Sequence, residues 1–183
     1  MTTPVASARA ISTEVRAALA TLLMIVSAAA AVAQSNSSAY TSLEPKQCRT
    51  IKSANSDYEG RCRGVAGYAL LVSEGDLRQN VTVITPQGAK HSLDLWDVIS
   101  GGFSSVGAKA EWRMGKRTPV ALIVRYNASE DPAQPNKLTS YLAVAKITPT
   151  EVCITDKISP GPTANEDARR AADSAVTKPC LKR

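Results

Sequence analysis

The sequence predicts an α+β fold: an antiparallel β-sheet or open barrel of about six to eight strands, closed by one C-terminal α-helix. Three observations point there. Residues 110–159 hold most of the apolar mass, in period-two runs separated by turn chemistry. Four cysteines all follow an export-type leader. A capped stripe of alanines stands near the C-terminus.

In residues 120–127, Val120, Leu122, Val124 and Tyr126 alternate with Ala121, Ile123, Arg125 and Asn127. A period of two with β-branched and aromatic residues is a strand pattern. Arg125 and Asn127 mark where the second face turns to water. Residues 138–147 repeat the theme, setting Leu138, Leu142 and Val144 against Tyr141, Ala143, Ala145 and Ile147. Upstream, Glu111 and Arg113 flank Trp112, so Trp112 and Met114 share a face. Residues 115–119 have the chemistry to turn between the first two of these strands. The connection 128–137 carries Pro132 and Pro135 beside Glu130 and Asp131 and reads as a long surface loop. Cys153 lies in the last strand of the run.

Earlier in the chain, residues 34–38 are polar and read as frayed. Residues 40–43 and 48–52 read as short strands, and 53–60 as a polar turn. Residues 67–73 and 77–85 are strands joined by the turn Glu74-Gly75-Asp76, and Pro86-Gln87-Gly88 turns again. Residues 92–99 fit two patterns: Leu95, Val98 and Ile99 share a helical face, whereas Leu93, Leu95 and Asp97 share a strand face. Gly101-Gly102 ends the segment either way. In the tail, Thr163 and Glu166 have capping-box spacing, with Asn165 as the alternative cap. Glu166 and Asp167 sit in the first turn, where the helix dipole favours them. Ala168, Ala171, Ala172 and Ala175 form a stripe that lets the helix pack close to a sheet. Arg169 and Asp173 are spaced as an exposed i,i+4 pair. Pro179 stops the helix just before Cys180.

The N-terminus has the layout of a secretory signal peptide. Arg9 and Arg16 precede an uncharged Ala- and Leu-rich run over 17–33 that ends in Ala31-Val32-Ala33. Cleavage after Ala33 divides the chain into a signal peptide, 1–33, and one disulfide-stabilised β-rich domain, 34–183. The run is at the lower edge of a bilayer span, and no later segment is apolar enough for stable membrane insertion. The part after the leader has 150 residues, the size of one domain. Without Arg9, Arg16 and Glu14, the 22 Lys+Arg and 16 Asp+Glu become 20 and 15, a net charge of +5. The basic residues are scattered, and this mild charge is explained by solubility.

Cys48, Cys62, Cys153 and Cys180 are even in number in an exported chain, which predicts two disulfides. Three connectivities are open; proximity in sequence favours Cys48–Cys62 and Cys153–Cys180. Zinc wants closer pairs and histidine partners, whereas the spacings are 14, 91 and 27 and His91 is the one histidine. No metal site is assigned. Arg61 and Arg63 flank Cys62 and would activate a free thiol, but without a C-x-x-C motif Cys62 reads as structural.

Chemistry is sparse elsewhere. His91 lies near Ser92, Asp94 and Asp97, but a Ser/His/Asp triad is defined by geometry, and no G-x-S-x-G is present. Glu111 beside Trp112 has the pattern of a carboxylate in an apolar pocket, which would raise its pKa. A glycosidase needs a second carboxylate at a set distance, and a strand-edge glutamate is the simpler reading. Neither phosphate-loop signature occurs, and no aromatic–basic motif supports nucleic-acid binding. Sequons start at Asn36, Asn80 and Asn127 and matter only in a eukaryotic secretory pathway. No catalytic residue and no cofactor is assigned.

Several stretches together resemble a loosely defined family of small exported bacterial proteins with no assigned function. They are Tyr40-Thr41-x-Leu43 leading to Cys48, Ser73-Glu74-Gly75-Asp76-Leu77-Arg78, and Gly107-x-Lys109-x-Glu111-Trp112-Arg113. The 120–126 strand and Cys153 with the 164–175 helix and Cys180 complete them. The resemblance implies a periplasmic or secreted bacterial protein with Cys153 joined to Cys180, and it brings no catalytic residues. The function expected is a non-enzymatic binding or interaction module for an unknown protein or envelope component. The alternatives are a proteinaceous inhibitor of a secreted hydrolase of the lysozyme kind and, third, a hydrolase using Glu111 or the His91–Asp94 region.

Overall fold

The computed structural model describes residues 36–54 and 57–182. The predicted leader, 1–33, lies outside the described residues. Ser35–Arg183 forms one compact unit.

Strands β1 (Ser37–Ser42), β2 (Arg49–Ala54) and β3 (Asp57–Arg63) are followed by β4 (Ala69–Gly75), β5 (Arg78–Ile84) and β6 (Lys90–Ser92). A short helix α1 (Leu95–Val98) leads to β7 (Ser104–Met114), β8 (Pro119–Ser129), β9 (Leu138–Ile147) and β10 (Val152–Ile158). Helix α2 (Ala164–Asp173) and a 3₁₀ turn (Ala175–Thr177) close the chain. All ten strands join one open sheet in the order β10-β9-β8-β7-β5-β4-β3-β2, with β1 added to β7 and β6 to β5. The ladders are antiparallel except at one point, where Arg78 of β5 meets Ser104 of β7 in parallel. This narrow junction lets two antiparallel lobes bend toward each other.

The bend explains the core. Val81, Val83, Leu70 and Val72 of one lobe join Trp112, Leu122, Val124, Tyr126 and Ala145 of the other in one buried cluster. The Trp112 indole N–H donates to Thr41 Oγ1 at 2.8 Å, so its one polar atom is satisfied inside. On the opposite face of β8 and β9, Ala121, Ile123, Leu142 and Val144 pack against Ala168, Ala172 and Ala175. These two strands are covered on both sides, and the alanine stripe does bring α2 onto the sheet.

The mostly β architecture with a C-terminal helix matches the sequence reading; its detail does not. Among the described residues, ten strands replace about six to eight, and α1 is a second helix. β3 overlaps what reads as a polar turn: Tyr58, Gly60 and Cys62 face inward while Asp57, Glu59, Arg61 and Arg63 alternate outward. Gly60, over which the Tyr58 ring lies, interrupts the apolar side of the alternation and gives a weak hydrophobic period. Ser37 and Ser38, read as frayed, belong to β1 and pair with Met114 and Arg113. The ambiguous 92–99 segment resolves into the end of β6 and α1. Thr163 precedes α2, but its hydroxyl donates to the Asp167 carboxylate at 2.8 Å and caps no backbone N–H. Asn165, the alternative cap, lies inside α2, where its Oδ1 accepts from Arg125 at 3.4 Å.

Cys48 is bonded to Cys62 and Cys153 to Cys180. The first staples the edge strand β2 to β3. The second holds the tail along β10, where Leu181 N–H donates to the Ile154 carbonyl at 2.7 Å.

Candidate binding cleft

Four connections gather at one end of the bent sheet, and each is shaped by local chemistry. Between β5 and β6, Thr85 accepts from Gly88 N–H at 2.9 Å, and Gly88 takes φ +88°, which an L side chain resists. Between β7 and β8, Gly115 N–H donates to the Thr118 carbonyl at 2.9 Å. Between β9 and β10, Thr148 and Glu151 exchange backbone and hydroxyl hydrogen bonds. Between β3 and β4, Gly67 lies close enough to Pro86 that a Cβ there would meet the ring at 3.3 Å. The β3–β4 loop therefore lies close against the β5–β6 turn.

These connections enclose a cleft of about 690 Å³. Its walls carry Tyr68, Thr85, Gln87, His91, Thr118 and Thr148, with Ala89, Pro119, Val120, Ile147, Pro149 and Val176 between them. Among the described residues, no aspartate, glutamate, lysine or arginine lines it. The lining offers donors and acceptors from hydroxyls, one amide and one imidazole, set among apolar surface. Tyr68 backs onto the buried Trp112, ring centroids 6.1 Å apart, which anchors that wall to the core. A volume within roughly 300–1,000 Å³, with a few polar groups among apolar ones, is the usual make-up of a small-ligand site.

His91 reaches this cleft because it pairs with Val83, whose side chain is in the core. Ser92, one residue on, faces the other side of the sheet. Its hydroxyl donates to Asp94 at 2.6 Å and accepts from the Asn80 amide at 2.8 Å. The sheet therefore separates Ser92 and Asp94 from His91, and Asp97 lies exposed on α1. These residues make no triad.

Glu111 is not a carboxylate in an apolar pocket. It lies on the outer face of β7, opposite Trp112, and accepts from Ser38 Oγ at 2.6 Å and from Arg169 Nε at 2.8 Å. Burial alone pushes its carboxyl up, but hydrogen bonds from Arg169, Ser38 and Tyr40 and the Arg169 charge hold it below the ordinary carboxylate value. The expected Arg169–Asp173 pair on the helix is also replaced. Arg169 turns to Glu111, while Asp173 takes Arg113. Both contacts run from α2 to β7, and sequence spacing along a helix could not reveal them.

Cys62 is buried and bonded, so Arg61 and Arg63 act on no thiol. Glu151, Cys153 and Cys180 come together near the tail, but both sulfurs are spent in a disulfide and offer no thiolate to a metal. The sequon asparagines are engaged: Asn36 donates to Asp173, Asn80 bridges Ser92 and the Leu95 N–H, and Asn127 accepts from Ser140. Of the cleft residues, only His91 stands out in the sequence. The others come from separate turns, and no spacing links them.

Among the described residues, no helix is long and apolar enough to cross a membrane. No protein-family model, curated protein or solved structure matches this chain.

Proposed function

We propose that this chain is an exported binding module with no catalytic role, whose ligand is an uncharged molecule held in the cleft around His91. The uncharged lining carries this reading. A charged ligand would leave water for a cleft with no opposite charge to meet it, at a cost of several kcal/mol or roughly that order. An uncharged ligand with a few hydrogen-bonding groups meets Thr85, Gln87, His91 and Thr118 without that penalty.

Export is supported by the leader pattern over 1–33, by the two disulfides and by the resemblance to small exported bacterial proteins. The localisation proposed is periplasmic or secreted, with cleavage after Ala33. The mass of the exported chain tests this: a product starting at Gln34 is expected, and a retained leader contradicts it.

The binding claim is tested by native mass spectrometry of oxidised 34–183 after exposure to an envelope extract. A small uncharged adduct is expected on the wild type and not on Ala89→Arg, which puts a cation at the exposed rim of the cleft. An adduct of equal amount on both proteins contradicts the cleft as the site. A stoichiometric protein partner, with no small adduct, favours the hydrolase-inhibitor alternative.

A further inference from the structure

A second groove, on the outer face of the other lobe, has a different chemistry. It runs across β2 to β5 and encloses about 440 Å³. The register places Glu59, Ser73 and Asn80 side by side, and Gly75 beside Arg78. Gly75 leaves the floor open, with the Asp57 carboxylate 3.8 Å from where its Cβ would stand. Trp96 forms one wall with 44% of its surface exposed.

That exposed indole is held in place. The Asn80 side-chain oxygen accepts the Leu95 N–H at 3.1 Å, and Asp94 enters α1 at φ +49°. Few non-glycine residues take this left-handed conformation, Asp among them, and such outliers persist where surroundings over-determine them. Arg78, which also lines the groove, is fixed as well. Arg78 donates to the Gly101 carbonyl at 3.1 Å, pairs with Asp76, and lies 5.6 Å over the Phe103 ring.

From this geometry we propose that the groove binds a neutral oligosaccharide, with one sugar ring stacked on Trp96. Lys52 pairs with Asp57 at 2.7 Å and Arg78 with Asp76, so both cations of the groove are matched within it. Sugar hydroxyls donate and accept, so one neutral ligand meets these pairs and Ser73 without breaking them. An anion meets four carboxylates, from Asp57, Glu59, Glu74 and Asp76, against two cations that are already paired. An organic cation has Glu59 and Glu74 to meet, and spermidine stands for it in the test below. The flat apolar face of a pyranose suits an exposed indole, whose polar edge can stay wet.

The chain has two tryptophans, and Trp112 is fully buried, so collisional quenching of fluorescence by acrylamide reports Trp96. Oxidised 34–183 is titrated with tetrasaccharides of glucose and of N-acetylglucosamine, with spermidine and a sulfated tetrasaccharide as charged probes. At least one neutral tetrasaccharide is expected to shield Trp96. By calorimetry, Trp96→Ala weakens that sugar about tenfold, and Glu59→Gln weakens it while near-ultraviolet circular dichroism is unchanged. Ala89→Arg, in the His91 cleft, leaves the sugar affinity as in wild type, so the two sites are judged separately. Absence of shielding by either neutral sugar overturns the proposal. So does tighter binding of spermidine or the sulfated sugar, or wild-type affinity in Trp96→Ala.

Discussion

Arg113 grips Asp173 with two parallel hydrogen bonds, Nε to Oδ1 and Nη2 to Oδ2, each 2.9 Å. The pair joins the middle of the sheet to the last turn of α2, and only 7% of the Arg113 side chain is exposed. A buried guanidinium that loses its bidentate carboxylate is destabilised, whereas an apolar replacement of both partners is often tolerated. Arg113 keeps Ser38 and, at 3.8 Å, Glu111, so Asp173→Ala should lower unfolding free energy by about 1–2 kcal/mol, discounted also for the partial exposure of Asp173. Arg113→Met with Asp173→Leu should recover part of the loss. Urea unfolding of the two variants checks the order.

Glu111 supplies a pH dependence with a defined sign. Its carboxyl is held below the ordinary value of 4.5 by Arg169, Ser38 and Tyr40, against the upward push of burial. A carboxyl that is depressed in the folded state stabilises at neutral pH, and that stability is lost as pH falls through the folded value. Thermal unfolding between pH 7 and pH 3 should show a steep loss below about pH 4.5 that Glu111→Gln makes shallower. An unchanged slope in Glu111→Gln would assign the acid sensitivity elsewhere.

Much of the fold is legible where a strand has one large apolar face or two. The alternation over 120–127 and 138–147 places Val124 and Tyr126 in the core and Ile123 under the helix. Of the alanine stripe, Ala168 and Ala172 of α2 and Ala175 of the following 3₁₀ turn are buried, and Ala171 is half-buried. β3 escapes because Gly60 breaks the inner face between Tyr58 and Cys62, and charged residues fill the positions between. The polar network escapes for another reason. Glu111, Arg113, Arg169 and Asp173 look like ordinary surface charges until α2 is laid on β7, and local pair rules choose the wrong partner for Arg169. The cleft is the least legible part, since it is made by the bend of the sheet and not by any motif.

The two disulfides should contribute unequally to stability. Cys153–Cys180 closes a longer loop than Cys48–Cys62, 27 residues against 14. The chain-entropy relation gives about 3.5 kcal/mol for the first and about 3 kcal/mol for the second. The Cys153→Ala, Cys180→Ala double variant should unfold at lower urea and free the tail for proteolysis. Equal midpoints for this variant and the wild type would mean that the Lys146 contact to the Lys178 carbonyl and the Leu181 ladder bond hold the tail unaided.

The β4–β5 hairpin carries strain at its tip. Asp76 and Leu77 have φ of +51° and +56°, the left-handed pair of a two-residue turn that favours Asn-Gly. Leu77 is 55% exposed, so little packing is at stake. Leu77→Gly should stabilise the chain by about 0.5–1 kcal/mol, the relief of the left-handed conformation less the chain entropy of glycine. A higher unfolding midpoint with unchanged denaturant slope is the expected reading.

The single histidine gives the most direct test of binding in the uncharged cleft. Histidine labelled with nitrogen-15 and carbon-13 yields one imidazole spectrum, from His91. Oxidised 34–183 is titrated with a set of uncharged fragments bearing a hydroxyl or amide, beside matched carboxylates and amines. The expected result is a saturable shift of the His91 signals with uncharged members, absent in Ala89→Arg and absent with charged ones. A fragment that binds by calorimetry without moving His91, or a carboxylate that moves it most, would contradict the cleft as the site of an uncharged ligand.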